Sequence, residues 1–211
     1  MINIALPKGR LLHEIIAVFK KAGIVFDGLS REHSSRKLFF ECPQLNLRCF
    51  LAKPFDVPAY VEKGSADIGI CGNDIIIERN ADVFELADLH TGECFMAVAR
   101  KNDFREDKSH PLRAATEYPR ITQEYYSQKG RDTEIIMLRG SAELALVSGT
   151  ADVIVDIVQS GKTLSDNNLS EDTKIFMVSA RLICNKSAYY FMNDEIIMLS
   201  RRLKNVTYIK V

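Results

Sequence analysis

The stretch Ala151–Leu169, ADVIVDIVQSGKTLSDNNL, limits the possible folds of this chain more than any other. Val153, Ile154, Val155, Ile157 and Val158 form a short β-branched run of the kind a buried parallel strand needs, and the run ends in the hydroxyl-rich turn Gln159-Ser160-Gly161-Lys162-Thr163. A buried strand therefore delivers a loop to a sheet edge. Gly161 lets the backbone approach a ligand closely, successive N–H groups can converge on an anion, and the Ser160 and Thr163 hydroxyls add donors. Those are the parts of a phosphate cradle. Asp156 at the strand end and Asp152 four residues earlier are carboxylates able to accept sugar hydroxyls or to meet a hydrated Mg²⁺.

Gly161-Lys162-Thr163 suggests a P-loop, but that motif requires glycine where Asp156 stands. The stretch instead resembles the phosphoribosyl-diphosphate loop of phosphoribosyltransferases, in which acidic residues close a strand before a Ser/Thr-Gly-x-Thr turn. A strand followed by an ordinary polar loop is the bland alternative, and this stretch alone leaves both open.

The 211 residues suffice for one large α/β domain or two small lobes with a real core. Lys and Arg total 28 against 28 Asp and Glu, which argues against a general nucleic-acid or anionic-membrane binder. The opening MINIALPKGR reaches charge too early for a signal peptide, and no apolar run approaches ~18 residues. A soluble cytoplasmic protein is expected. Cys42, Cys49, Cys71, Cys94 and Cys184 include no C-x-x-C pair and read as buried free thiols. His13, His33, His90 and His110 have no ligand spacing, and no Ser/His/Asp triad suggests itself.

In chain order, Ile2–Leu6 reads as a strand and Pro7-Lys8-Gly9-Arg10 as a basic turn before a helix. That helix carries Leu11, Leu12, Ile15, Ile16 and Phe19 and stops at Gly23. Lys8 and Arg10 thus stand at a strand-to-helix junction, where a helix N-terminus favours anions. Lys37–Glu41 and Leu47–Ala52 are predicted strands, Ala59–Lys63 a short helix, Ile68–Cys71 a strand, and Gly72-Asn73-Asp74 the start of another helix. Strands are then expected at Val83–Leu89, Cys94–Ala99, Leu112–Thr116 and Thr133–Leu138, and across Lys174–Cys184. Helices are expected at Arg120–Lys129, through Glu143–Val147 and over Ala188–Leu203. Such alternation indicates an α/β sheet with ligands outside the carboxyl ends of its strands.

An internal echo accompanies this pattern. Gly64-Ser65-Ala66-Asp67 and Gly149-Thr150-Ala151-Asp152 share G-[ST]-A-D, and each precedes an apolar strand. Two lobes of similar build follow from it. Asp67, set in a turn that need not face substrate, reads as structural.

Taken together, ALPKGRL at Ala5–Leu11, PFDVPAYVEKGSADIGICGND at Pro54–Asp74, ELADLHTGEC at Glu85–Cys94, EYPRIT at Glu117–Thr122, GSAELA at Gly140–Ala145 and the stretch Ala151–Leu169 resemble the ATP phosphoribosyltransferase family. The matches keep the family's order. The resemblance implies an α/β fold of two lobes like type II periplasmic binding proteins, with the active site in the cleft between them. Residues 1–90 and 179–211 would form lobe I, and 91–178 lobe II. It further implies the short form, a catalytic subunit without the C-terminal regulatory domain. Such a subunit works with a regulatory subunit related to histidyl-tRNA synthetase, as a homodimer within a hetero-oligomer. The implied reaction joins ATP and 5-phosphoribosyl 1-diphosphate to give N1-(5-phosphoribosyl)-ATP and diphosphate, the first step of histidine biosynthesis, with Mg²⁺. Neither a nucleic acid nor a membrane is implied as a partner.

Carried over by motif, Asp152 and Asp156 face the ribose or its metal, and Ser160, Gly161, Lys162 and Thr163 hold the 5-phosphate. Lys8, Gly9, Arg10, Gly72, Asn73 and Asp74 line the site for ATP and diphosphate, and Lys53 and Arg31 neutralise the departing diphosphate. Mg²⁺ is held mainly by the substrate diphosphate, with Asp156 as the candidate protein contact. Two departures stand out: Glu117 replaces the usual basic residue before Tyr-Pro, and Lys53 stands where many relatives carry arginine. Lysine keeps the charge without the bidentate fork. A ligand-binding module of the same architecture, or a subunit that binds substrates yet turns over poorly alone, are the alternatives.

Overall fold

The computed structural model describes residues 1–30, 37–140 and 142–207. Along the chain run β1 (Ile2–Pro7), α1 (Arg10–Lys21), β2 (Phe39–Cys42), β3 (Leu47–Ala52), α2 (Val57–Glu62), β4 (Ile68–Gly72), α3 (Asn73–Arg79) and β5 (Phe84–Asp88). There follow β6 (Cys94–Lys101), β7 (Leu112–Thr116), α4 (Pro119–Gln128), β8 (Thr133–Met137), α5 (Ala142–Val147), β9 (Val153–Val158), α6 (Lys162–Asp166), β10 (Leu169–Val178), β11 (Ala180–Cys184), α7 (Lys186–Phe191) and α8 (Asn193–Thr207). These elements form two compact α/β units, Met1–Gly92 with Ser179–Val211, and Glu93–Val178.

The first unit holds a sheet in the order β2-β3-β1-β4-β11-β5, with β1 parallel to β3 and β4. Alternation along β1 sends Ile2, Ile4 and Leu6 into the cluster that contains Leu12, Ile15 and Phe19 of α1 and Leu199 and Leu203 of α8. Ala5 points the other way, into the cluster of Val57, Val61, Cys71 and Ile75. Each large side chain so buried contributes roughly 1.5–3 kcal/mol. Gly69 is needed for that second layer, because a Cβ there would meet Val61 Cγ2 at 2.7 Å and Val57 Cγ1 at 2.9 Å. Its absence lets α2 lie directly on β4.

The second unit repeats the plan in the order β10-β6-β9-β7-β8. Here β7 is parallel to β8 and β9. Small residues, Ala97, Ala99, Ala115, Ala142, Ala145 and Ala151, pack with Leu146, Ile154, Val158 and Leu164 and bring α5 and α6 close to the sheet. The successions β1-α1-β3-α2-β4-α3 and β7-α4-β8-α5-β9-α6 thus follow one scheme, with β2 an added hairpin strand on β3.

Three expectations need correction. β9 is parallel to β7 on one side only and antiparallel to β6 on the other, so it is a buried strand of a mixed sheet. The run Lys174–Cys184 is two strands in two sheets, broken at Ser179. The buried Ser179 has its N–H on the Asn73 side-chain oxygen (2.9 Å), while its carbonyl accepts from the Asn73 N–H (3.1 Å). Backbone groups committed to Asn73 are unavailable to either ladder. The expected helix Ala188–Leu203 is α7 and α8, separated at Met192, where φ is −130°. Asp194 and Glu195 give α8 an acidic first turn of its own.

Candidate active site

In both units the chain leaves the carboxyl ends of three parallel strands, and the residues singled out from sequence can be placed against those edges. In the first unit, Pro7 pairs with Ala52, and the Lys8 N–H donates to the Ala52 carbonyl at 2.8 Å. This sets the Lys8-Gly9-Arg10 turn beside Lys53. Gly9, with φ of 95°, opens α1, whose first turn carries no acidic residue. Lys8 and Lys53 are exposed, and neither meets a carboxylate among the described residues. Two cations thus stand unneutralised on one edge.

The third loop of that edge is different in kind. Gly72 is buried, Asn73 is bound to Ser179 through both its N–H and its side-chain oxygen, and the Asp74 side chain is enclosed at 2 % exposure. Gly72, Asn73 and Asp74, expected to line the site for ATP and diphosphate, are thus engaged or enclosed within the first unit, unlike the open turn at Lys8-Gly9-Arg10. Arg31, the other cation expected to face diphosphate, lies outside the described residues.

In the second unit Asp156 is half-buried in β9, with Oδ1 accepting from the Ile157 N–H at 2.7 Å. Beyond β9, Gly161 takes the left-handed conformation (φ 66°, ψ 1°) that turns the chain into α6. Ser160, Lys162 and Thr163 are exposed, and a Cβ built on Gly161 would meet nothing within 4 Å. Ser160 Oγ accepts only a long 3.4 Å contact from the Lys162 N–H, and the Thr163 hydroxyl and Lys162 ammonium are unpartnered among the described residues. The turn is open, polar and cationic, as a phosphate site requires.

Asp152 is not part of it. It precedes β9 at the opposite end of the strand and accepts from the Arg113 N–H (3.0 Å), Nε (3.2 Å) and Nη2 (2.6 Å). Those hydrogen bonds hold its carboxyl below the ordinary range, and the same pairing raises the Arg113 guanidinium. Asp67 in the first unit does the corresponding task, accepting from the Asn3 N–H at 2.7 Å while its own N–H donates to the Asn3 carbonyl at 2.9 Å. The Asp152 N–H likewise donates to the Arg113 carbonyl at 2.8 Å. Both aspartates of the echo pin the register of a parallel pair, so the ligand role expected of Asp152 is replaced by a structural one. The echo itself carried that signal.

Two residues outside the expected site set complete the second edge. The Glu117 carboxylate accepts from the Gly140 N–H at 2.9 Å, joining the turn after β7 to the one after β8. Arg139, exposed and unpartnered among the described residues, adds a cation to that second turn. Its neighbourhood to GSAELA was the only available hint. Among the described residues no group of three or more His, Cys, Asp or Glu could hold a metal ion. Burial pushes the Cys184 thiol up to about 12 and raises Cys49 and Cys71 as well, so these thiols are not thiolate nucleophiles. No helix among the described residues is long and apolar enough to cross a membrane.

Comparison with known proteins gives the family. Residues 53–205 match the family model described as HisG: ATP phosphoribosyltransferase. ATP phosphoribosyltransferase of Brachyspira hyodysenteriae is 47% identical over 98% of this chain and 100% of its own length, and that of Caldanaerobacter subterraneus is 42% identical over 98% and 97%. The ATP phosphoribosyl transferase (HisG:HisZ) complex from Thermotoga maritima contains a chain that superposes with a TM-score of 0.84, at 33% identity and 99% coverage of both chains. The Bordetella pertussis BvgS VFT2 domain shares the fold alone, with a TM-score of 0.58 at 12% identity over 100% of this chain and 88% of that one. The chain belongs to the ATP phosphoribosyltransferase family.

Proposed function

We propose that this chain transfers the phosphoribosyl group of 5-phosphoribosyl 1-diphosphate to N1 of ATP, releasing diphosphate, as the first step of histidine biosynthesis. Adenine N1 attacks C1′ of the ribose with its lone pair while the bond from C1′ to the diphosphate oxygen breaks. The nucleophile needs no activation, and the leaving group is good once its charge is neutralised. Positioning and electrostatic stabilisation can therefore carry the reaction without a covalent nucleophile. The raised thiols of Cys49, Cys71 and Cys184 fit that division of labour.

The observation that carries this reading is the exposed turn after β9, where Gly161 leaves open space beside unpartnered Lys162 and Thr163. Ser160, Gly161, Lys162 and Thr163 hold the 5-phosphate, and Asp156 accepts hydrogen bonds from ribose hydroxyls. Arg139 adds charge at the same edge. On the first unit's edge, Lys8, Gly9 and Arg10 bind polyphosphate and Lys53 stabilises the departing diphosphate. A single carboxylate, Asp156, suits Mg²⁺ that keeps its waters and is held mainly by substrate phosphates. When bound, the ion supplies charge neutralisation for the diphosphate.

By extension from the Thermotoga HisG:HisZ complex, this chain works with a HisZ-type regulatory subunit, and the family resemblance adds a homodimer within that hetero-oligomer. Its substrates place the reaction in the cytoplasm. The test is to incubate the purified chain with ATP, phosphoribosyl diphosphate and Mg²⁺, with and without that subunit, and to follow the ultraviolet absorbance of phosphoribosyl-ATP. Product in either mixture is expected. None in both would leave a binding module of the same fold.

A further inference from the structure

At the carboxyl end of β7 the chain buries hydroxyls that an apolar core does not call for. Thr116 and Thr122 are both 0 % exposed. The Thr116 hydroxyl donates to the Val155 carbonyl at 2.6 Å and accepts from the Tyr118 N–H at 2.8 Å. The Thr122 hydroxyl, donating to the Tyr118 carbonyl at 2.7 Å, lies 3.3 Å from that of Thr116. The Thr116 carbonyl in turn accepts from the Leu138 N–H at 3.0 Å. One residue thus ties the end of β7 to β9, to the turn entering α4 and to the end of β8.

The first unit provides a control. There β1 pairs with β4 at Ile4↔Ile68 and Ala5↔Gly69. In the second unit β7 pairs with β9 at Ala114↔Val153 and Ala115↔Ile154, and the ladder runs one rung further, to Thr116↔Val155. The residue corresponding to Thr116 is Leu6, fully buried and apolar, and its rung is missing. This sheet plan therefore closes without a hydroxyl at that position. What the hydroxyl adds is a side-chain donor to the Val155 carbonyl at that last rung; in the first unit Leu6 is followed by Pro7, which has no N–H, and the Leu6 side chain has no donor to stand in for it. The Val155 carbonyl belongs to the same planar unit as the Asp156 N–H.

We propose that Thr116 is a positioning residue for phosphoribosyl diphosphate: its hydroxyl fixes the Val155–Asp156 peptide, and with it the aim of the Asp156 carboxylate and the departure of the Gln159–Thr163 turn. This rests on the assignment of that turn to the sugar phosphate. Asp156 lies on the sheet face of Ile154 and Val158, opposite to Val155, so a tilt of this peptide swings the carboxylate directly.

The full-length chain is titrated calorimetrically with phosphoribosyl diphosphate and Mg²⁺, and KM for each substrate is measured with the regulatory subunit present. Wild type, Thr116→Val, Thr116→Ser and Asp156→Asn are compared. Valine keeps the shape and removes the hydroxyl, and serine returns it. Thr116→Val is expected to weaken phosphoribosyl diphosphate about tenfold, the scale of one hydrogen bond in a buried network, while KM for ATP stays within about twofold. Thr116→Ser is expected to recover affinity to within about threefold of wild type. Should the valine variant fail to fold, Thr116→Cys, a weak donor of similar size, is expected to fall between serine and wild type on one side and total loss on the other, and an unchanged affinity overturns the proposal. Unaltered affinity in Thr116→Val, equal loss for both substrates, or no recovery with serine also overturns it. If Thr116→Val binds normally while Asp156→Asn does not, the positioning role fails and the site assignment stands. If wild type binds no phosphoribosyl diphosphate, the site assignment fails and the positioning role falls with it.

Discussion

Gly64–Asp67 and Gly149–Asp152 lead a helix into a strand in the same way, with a left-handed glycine (φ 73° and 76°) and an aspartate locked to the neighbouring parallel strand. Beyond those strands the units part. β4 ends at Gly72 and α3 starts at Asn73, with nothing between them, and the junction is buried. β9 ends at Val158 and α6 starts at Lys162, and the intervening Gln159, Ser160 and Gly161 lie open to solvent or nearly so. What the units share builds the sheet, and what the second has alone is the open turn to which we assign the sugar phosphate. The same lesson applies at Leu6 and Thr116, and at Cys71 and Asp156, which occupy matching places along their strands.

The largest effect that sharpens this contrast is expected from Asp156→Asn. Its kcat/KM for phosphoribosyl diphosphate should fall by about two orders of magnitude, the scale seen when a charge-specific contact leaves an active site. Its KM for ATP should barely move, and Cys71→Ala in the other unit should leave both constants in place. Equal loss for both substrates would assign Asp156 to the fold instead. Next comes Gly161→Val. A β-branched residue at φ 66° costs about 1–2 kcal/mol of backbone strain but meets no neighbour, so denaturant unfolding should shift modestly while phosphoribosyl diphosphate affinity drops sharply.

The aspartates of the echo should behave as a matched pair. Asp67→Ala and Asp152→Ala are each expected to lower stability by about 1–3 kcal/mol through backbone donors left unpaired, with KM for phosphoribosyl diphosphate unchanged. A rise in that KM for Asp152→Ala alone would break the comparison and return Asp152 to the site. The smallest effect is on pH. Because Arg113 holds the Asp152 carboxyl below its ordinary value of 3.8, the pair's contribution is full above that value and is lost as pH falls through the lower folded one. With Arg113 42% exposed, it amounts to about 0.5–1 kcal/mol. Wild type and Asp152→Asn should therefore differ in urea midpoint near neutrality and converge in acid.

Much of the plan was legible because its signals are local. The β-branched run before Gln159, the helical spacing through Phe19 and the glycines after helices each report on a few neighbouring residues, and the structure has strands or helices in those places. The repeated G-[ST]-A-D likewise announced a repeated fold. What could not be read was long-range. Arg113 lies 39 residues from Asp152, and nothing near either one says that they meet. Ser179 sits inside an unbroken strand-like run, and only Asn73, 106 residues earlier, splits it between sheets. Asp74 was carried over by motif from the family resemblance, and its burial is set by packing that local spacing does not encode. Asp156 and the turn after it stood out because polar residues at the end of a buried strand are costly without a task.

The five cysteines carry a practical consequence. All are reduced and enclosed, with Cys42, Cys49, Cys71 and Cys184 in the first unit and Cys94 by itself in the second. An alkylating reagent can reach them only when the surrounding structure opens, so peptide-resolved labelling reports the breathing of each half separately. Protection of Cys94 by added phosphoribosyl diphosphate, against that of the other four by ATP, would show which half each substrate steadies, with no engineered probe.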